Sequence, residues 1–318
     1  MTPRVLVVIA TFRRPERLGR ALLSLHGQGP ALGGAVVVNN SRDAETARVA
    51  AEAPIAVRLV TPERNLGTGG GVARGLQAAL EDAAATHAWI MDDDADAMPG
   101  ALEAMLAAVL PVGAAAVTPL ITDESGAVRW FPGPLPQPAW DVIRSGVTPA
   151  EFRARCGGAP LRWSWSPWPS LLVTREAVAA AGVPRADFWF QSSDLEYTLR
   201  LSRFFTCVLA PAAVCRHLPP PEQPEQRRMK DLWTLQNNAF LGTRLRHGRR
   251  ILRHLPGNHY RYWRNHGRSL AALGQSWAGF WRGAALGRLA GEEDYYVFLK
   301  SFSSQEPSAP QASSTETA

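Results

Sequence analysis

Short apolar runs alternate with helical patterns through the first 120 residues. The runs "VLVVIA" from Val5, "AVVVNN" from Ala35, "VRLVTP" from Val57, "AWIMD" from Ala88 and "AAAVTP" from Ala114 have the length of buried strands. Between them, Leu18, Leu22 and Leu25 recur at helical spacing behind Pro15. Leu76 and Leu80 follow a glycine-rich loop, and Leu102, Met105, Leu106 and Val109 follow Pro99. Strand and helix in this rhythm predict an α/β fold, a Rossmann-like mixed but mainly parallel sheet with flanking helices. In such sheets ligands sit beyond the carboxyl ends of the strands.

From about Trp130 the rhythm changes. A Pro-rich stretch, "WFPGPLPQPAW", leads to the tryptophan cluster "RWSWSPWPSLLV", a helix near Thr174 to Ala181 and the segment "ADFWFQSSDLEYTLRLSRFF". A strand-like "TCVLAP" and a predicted loop, "AAVCRHLPPPEQPEQ", close this part. The pattern predicts an α/β domain over residues 1–225, with halves meeting near 125, then a basic helical region over 226–300. Residues 301–318 have the composition of a disordered tail.

At 318 residues and 46 % hydrophobic, the chain can bury a sizeable core. No uninterrupted apolar run reaches the roughly 20 residues of a bilayer span, and the strand beginning at Val5 leaves no room for a signal peptide, so a cytoplasmic location is expected. Cys156, Cys207 and Cys215 are too few for a disulfide framework. The net charge of +6 hides an asymmetry: residues 226–290 hold thirteen Arg or Lys against one acid, Asp231, a local +12. With "HYRYWRNHGR" and "SWAGFWRGAALGRL" mixing arginine and aromatics, this region suits peripheral contact with the inner face of a membrane, or an ordinary solvated helical face. No nucleic-acid motif accompanies it, so nucleic acid is not an expected partner.

The stretch "HAWIMDDDADAMPG" places Asp92, Asp93, Asp94 and Asp96 at the end of a predicted strand. Crowded like charges raise the energy unless a cation or hydrogen-bond donors offset them. In extended chain Asp92 and Asp94 share a face while Asp93 points away, which suits a hard divalent ion such as Mg²⁺ or Mn²⁺. A solvated acidic loop capping the helix after Pro99 is the alternative.

In "PERNLGTGGGVARGL", Gly67 and Gly69 to Gly71, with Gly70 at the centre, precede a helix, where glycine lets backbone amides approach an anion. A ligand-free tight turn is the alternative. The dinucleotide fingerprint fails, because its last glycine falls on Val72 or Arg74, and no Gly-Lys-Ser/Thr completes a phosphate loop. His217, in the predicted loop, is either a metal ligand or a merely exposed histidine. A zinc site from Cys207, Cys215 and His217 has no CxxC and no fourth ligand. In "FWFQSSDLEYTLRL" a serine cap at Ser192 or Ser193 with Glu196 forms a capping box, leaving Asp194 as a carboxylate available for general-base work. Trp163, Trp165 and Trp168 are core, or a flat aromatic wall suited to a sugar ring or a lipid-like acceptor.

These motifs in this order resemble the family-two glycosyltransferases with the GT-A fold, in the branch of galactofuranosyl- and rhamnosyltransferases. The resemblance spans roughly residues 4–245 through "VLVVIATFRRPERL", "VVVNNS", "ERNLGTGGGVARGL", "WIMDDDAD", "WPSLLVTREAV", "SDLEYTLR" and His217. It implies a nucleotide-binding half at 1–125 and an acceptor half at 126–225. It also implies Mn²⁺ or Mg²⁺ on Asp92, Asp94 and His217, and a nucleoside-diphosphate sugar, with UDP or dTDP, on Thr11, Arg14, Asn39, Arg64, Asn65, Gly70, Asp92 and Asp93. Asp194 is then the base in an inverting transfer to a hydroxyl acceptor, with Trp163, Trp165 and Trp168 on the acceptor side. Two positions depart from the family pattern: Asn39 stands where an acid is usual, and Ser193 where an acid commonly precedes the base. A sugar-nucleotide nucleotidyltransferase and a catalytically silent sugar-nucleotide-binding module are the alternative readings.

Overall fold

A computed structural model describes residues 2–221, 224–244 and 255–286. Its ten-stranded sheet is built from β1 (Val5–Thr11), β2 (Leu32–Asn39), β3 (Val57–Val60), β4 (His87–Asp92), β5 (Ala95–Ala97), β6 (Ala116–Thr122), β7 (Val128–Trp130), β8 (Leu161–Arg162), β9 (Ser170–Thr174) and β10 (Cys207–His217). The helices are α1 (Pro15–Leu25), α2 (Ala44–Ala51), α3 (Gly67–Leu80), α4 (Ala101–Val109), α5 (Ala139–Arg144), α6 (Pro149–Cys156), α7 (Arg175–Ala181), α8 (Ser193–Phe204), α9 (Pro224–Arg244), α10 (Leu255–Asn265) and α11 (Leu270–Leu286).

The strand order is β3-β2-β1-β4-β9-β6-β10-β5, with β7 beside β6 and β8 beside β10. Along this path only β9 and β5 run against the rest, so the sheet is mixed and mainly parallel, as the sequence rhythm predicts. Side chains alternate between two core layers. Val5, Val7 and Ile9 of β1 pack with Leu18 and Leu22 of α1 and Leu102 of α4. Leu6 and Val8 pack on the other side with Val72 and Leu76 of α3. Trp89 is fully buried between strands, its indole N–H satisfied by Ser170 Oγ at 2.8 Å.

Two segments depart from the sequence reading. "SLLV" becomes β9, inserted antiparallel between β4 and β6. The expected loop "AAVCRH" instead continues β10 as far as His217. Pro211, which has no N–H to donate, interrupts the ladder so that Ala210 pairs with Pro119 and Val214 with Leu120, leaving residues 211–213 as a bulge. The strand then resumes.

The chain divides into two units, Met1–Thr234 and Leu235–Ala318. Within the second, α10 and α11 are joined by His259 Nδ1 to Ser276 Oγ at 3.0 Å and by Tyr262 Oη donating to Gln275 Oε1 at 3.1 Å. The tail expected over 301–318, and the stretches 245–254 and 287–300 of the basic region, lie outside the described residues.

Candidate active site

Parallel register brings Ala10 of β1 beside Asp92 of β4, so Thr11 and the acidic run leave the sheet at the same edge. Thr11 Oγ1 donates to Asp93 Oδ2 at 2.7 Å. Arg14, immediately before α1, donates from one nitrogen to Asp93 Oδ1 and Asp94 Oδ2, each at 3.1 Å. Asp96 faces Arg20 at 2.8 Å and Arg216 at 2.9 Å. Three of the four acids, Asp93, Asp94 and Asp96, thus face arginines.

Asp92 and Asp94 share a further partner, delivered by β10. β5 pairs antiparallel with the end of β10, placing His217 opposite Ala95. His217 Nε2 lies 3.0 Å from Asp94 Oδ1 and 3.8 Å from Asp92 Oδ2. The expected loop histidine is therefore fixed by a sheet ladder, and Trp130 stands edge-on to its ring with centroids 4.4 Å apart. Ligand atoms of Asp92, Asp94 and His217 all lie within 4.8 Å of one another. A divalent ion with oxygen and nitrogen ligands at about 2.0–2.6 Å spans that separation.

The electrostatics agree with the geometry. Burial, then Asp94, Asp93 and Asp194, push the Asp92 carboxyl well above the usual carboxylate range. Burial also raises Asp93 despite Arg14. For Asp94 burial is outweighed by His217, Arg14 and Arg17, and its carboxyl is held below the usual range. A cation among these groups would offset the repulsion that Asp92 experiences, and the donor set fits a hard divalent ion.

Asp194 occupies the first turn of α8, close enough to Asp92 for their charges to repel. Burial pushes its carboxyl up to about 6, against the hydrogen bond Leu195 N donates to it at 2.8 Å. Gln191 and Ser192 ahead of it both have left-handed backbone, φ 63° and 59°, a conformation that costs non-glycine residues energy and clusters at functional sites. The expected capping box is absent: Ser192 makes no side-chain cap, and Glu196 pairs with Arg200 at 2.9 Å.

The glycine loop is corrected in kind. Gly67 already begins α3, and its glycines make room for neighbouring atoms. A Cβ on Gly69 would meet the Phe188 carbonyl oxygen at 2.3 Å, and one on Gly75 would meet Val8 at 2.4 Å. Gly70 packs beside Leu66 and Ala186. The amides of Leu66, Gly67 and Thr68 already donate to Asn40 Oδ1, Asn65 Oδ1 and the Trp189 carbonyl, so they are not a cradle for an anion. Asn65 therefore shapes the turn, while Arg64 beside it is exposed. Asn39 is buried, its amide donating to the Asp43 carbonyl and accepting from Ser41 and Arg42, which ties it to the cap of α2 rather than to an open face.

The tryptophan wall does not form. Trp163 and Trp168 lie in the core layer with Tyr197 and Leu209, because their large apolar rings fill the space beneath α8. Trp165 is half-buried and holds the bridge to Gly133. Sequence reasoning missed Trp130, which nothing in its local pattern marks. It also missed Trp189, whose clue lies in the small residues of α3 that receive its segment.

A mainly parallel sheet with helices on both faces, carrying an aspartate pair and a histidine at its carboxyl edge, defines the GT-A class of glycosyltransferase. Residues 3–130 match the profile of the family described as "Glycosyltransferase like family 2". The galactofuranosyltransferase GlfT1 of Mycobacterium tuberculosis is 30 % identical over 220 residues, covering 65 % of this chain and 69 % of its own. The fold is similar to that of GalNAc-T7 bound to UDP, GalNAc and Mn²⁺, with TM-score 0.58, 16 % identity, 78 % of this chain and about half, 49 %, of that one. It is also similar to the mannosyltransferase PcManGT of Pyrobaculum calidifontis bound to GDP-Man and Mn²⁺, with TM-score 0.51, 18 % identity, and 95 % and 80 % coverage. The chain belongs to the family-two glycosyltransferases.

Proposed function

We propose that the chain moves a sugar from a nucleoside-diphosphate sugar, carrying UDP or dTDP, to a hydroxyl acceptor, with inversion at the anomeric carbon. The observation that carries this reading is the convergence of Asp92, Asp94 and His217 within 4.8 Å, with Asp194 nearby. Mn²⁺ or Mg²⁺ held by the first three would supply charge neutralisation for the departing diphosphate. Both structural relatives hold Mn²⁺ and one of them UDP, which supports the choice.

The residues of the chain divide the remaining work. Thr11 and Arg14 fix Asp93 at the floor of the donor site, and Arg64 and Asn65, in the turn ahead of α3, contact the nucleotide. Asp194 takes the proton of the acceptor hydroxyl as its oxygen bonds to the anomeric carbon, while the bond from that carbon to the diphosphate breaks on the opposite face with its electron pair leaving on oxygen. A carboxyl pushed up to about 6 is a stronger base than an ordinary aspartate and remains ionised at neutral pH.

Calorimetric titration with UDP, dTDP and GDP, each with and without Mn²⁺, tests the reading. The expected result is capture of UDP or dTDP that Mn²⁺ strengthens. Absence of any strengthening for all three overturns it.

A further inference from the structure

The second unit turns the usual helix inside out. Along α11 the small residues Ala272, Ser276, Gly279 and Gly283 form the buried face. A Cβ on Gly283 would meet the Gln236 carbonyl oxygen at 1.9 Å, so this face packs closely on the end of α9. The large apolar residues point the other way. Leu270, Leu273, Trp277 and Trp281 follow the i, i+3, i+7, i+11 spacing of one helical face and are 87 %, 37 %, 47 % and 64 % exposed. Tyr260 of α10 is 59 % exposed as well. Scattered exposed apolar residues are ordinary, whereas a continuous row of them, opposite a face of small buried residues, marks a surface that something covers.

Charge indicates the occupant. Residues 255–286 contain four arginines and no Asp or Glu. Arg261, Arg264 and Arg268, on α10 and the turn after it, are exposed. Exposed tryptophan and leucine in a row, with arginines in a stretch that itself carries no acid, are the chemistry of a helix lying in the headgroup layer of an anionic bilayer, with aromatic rings at the interface and guanidinium groups on phosphate. None of the described helices is long and apolar enough to cross a membrane, so the contact is one of lying on the surface. We propose that the outward face of α11, with the arginines of α10 and its following turn, docks the protein on an anionic lipid surface. The inference stands independently of the sugar-transfer reading.

Co-sedimentation of the full chain with extruded vesicles tests it. Binding is expected to vesicles of equal parts phosphatidylglycerol and phosphatidylcholine, and to be about tenfold weaker or less on phosphatidylcholine alone, given about 1 kcal/mol for each basic side chain near an anionic surface. Trp277→Ser with Trp281→Ser is expected to weaken partition at least about tenfold. Because Trp277 stacks on His259, with centroids 4.5 Å apart, Leu270→Glu with Trp281→Glu serves as a second variant that leaves that contact intact. Unchanged helical circular dichroism and thermal unfolding of both variants would show that they are folded. Failure of the wild type to sediment with anionic vesicles overturns the proposal. So does light scattering that finds a stable dimer which Leu270→Glu with Trp281→Glu converts to monomer, since a second copy would then own this face.

Discussion

The two halves of the sheet contribute to the site by opposite means. β1 and β4 are regular parallel strands, and their residues, Thr11 and Asp92 to Asp94, arrive at the edge because both strands end there in register. The second half delivers His217 through a strand broken at Pro211, and Asp194 through two successive residues in left-handed backbone. Regular elements supply the crowded charge, and irregular ones aim the groups that use it. Irregular backbone is costly, so its presence in the second half points to selection for placement over ease of folding.

The sharpest way to break this comparison is Asp194→Asn. Turnover is expected to fall by about 10²–10⁴ while donor binding is retained, as steady-state rates alongside calorimetry would show. In the unsubstituted protein the rate is expected to climb as pH rises through about 6, where this carboxyl ionises. A flat profile between pH 5 and 7 would remove Asp194 from the role of base.

The same substitution should raise stability. The Asp194 carboxyl titrates near 3.8 when unfolded and about 6 when folded, so between those values the folded protein binds more protons than the unfolded chain. Stability therefore falls as pH rises through this window. Asparagine abolishes that loss, a gain of up to about 3 kcal/mol at pH 7 that vanishes below pH 4, readable by urea unfolding.

On the regular side, Asp92→Asn is expected to remove the mutual strengthening of Mn²⁺ and nucleoside diphosphate, a coupling of about 1–3 kcal/mol, measured by titrating each with and without the other. Gly75→Ala tests packing rather than chemistry. The added methyl would meet Val8 at 2.4 Å, so a loss of about 1–3 kcal/mol is expected in thermal unfolding, with the pH profile unmoved.

This asymmetry also explains what could be read in the sequence. β1, β2, β4 and β6 announce themselves as apolar runs, because a parallel strand covered on both faces has little choice of residue, while β3, at the sheet edge and partly exposed, is shorter and carries Arg58. β9 and the end of β10 do not announce themselves. An antiparallel strand inserted among parallel neighbours leaves no rhythm, and Pro211 reads as a stop when it is only a pause. Asp92 and Asp94 were legible as a pair, but His217 and Asp194 stand more than 90 residues away and needed the order of motifs to connect them. The glycines of α3 and the rings of Trp163 and Trp168 misled for one reason: composition records which side chain is absent or large, and only the fold reveals what lies against it.

The bulge of β10 has an effect on parity. Before it, the even-numbered Val208 and Ala210 belong to the core layer shared with α1; after it, the odd-numbered Cys215 does. Three residues looped out, an odd number, exchange the roles of the two sides of the ribbon. Deleting Ala212 alone would leave an even number and turn every later residue over, swinging the imidazole two positions beyond Cys215 away from the carboxylates it now meets. What looks like a blemish in the ladder is therefore a counting device, and its arithmetic decides which way the histidine looks.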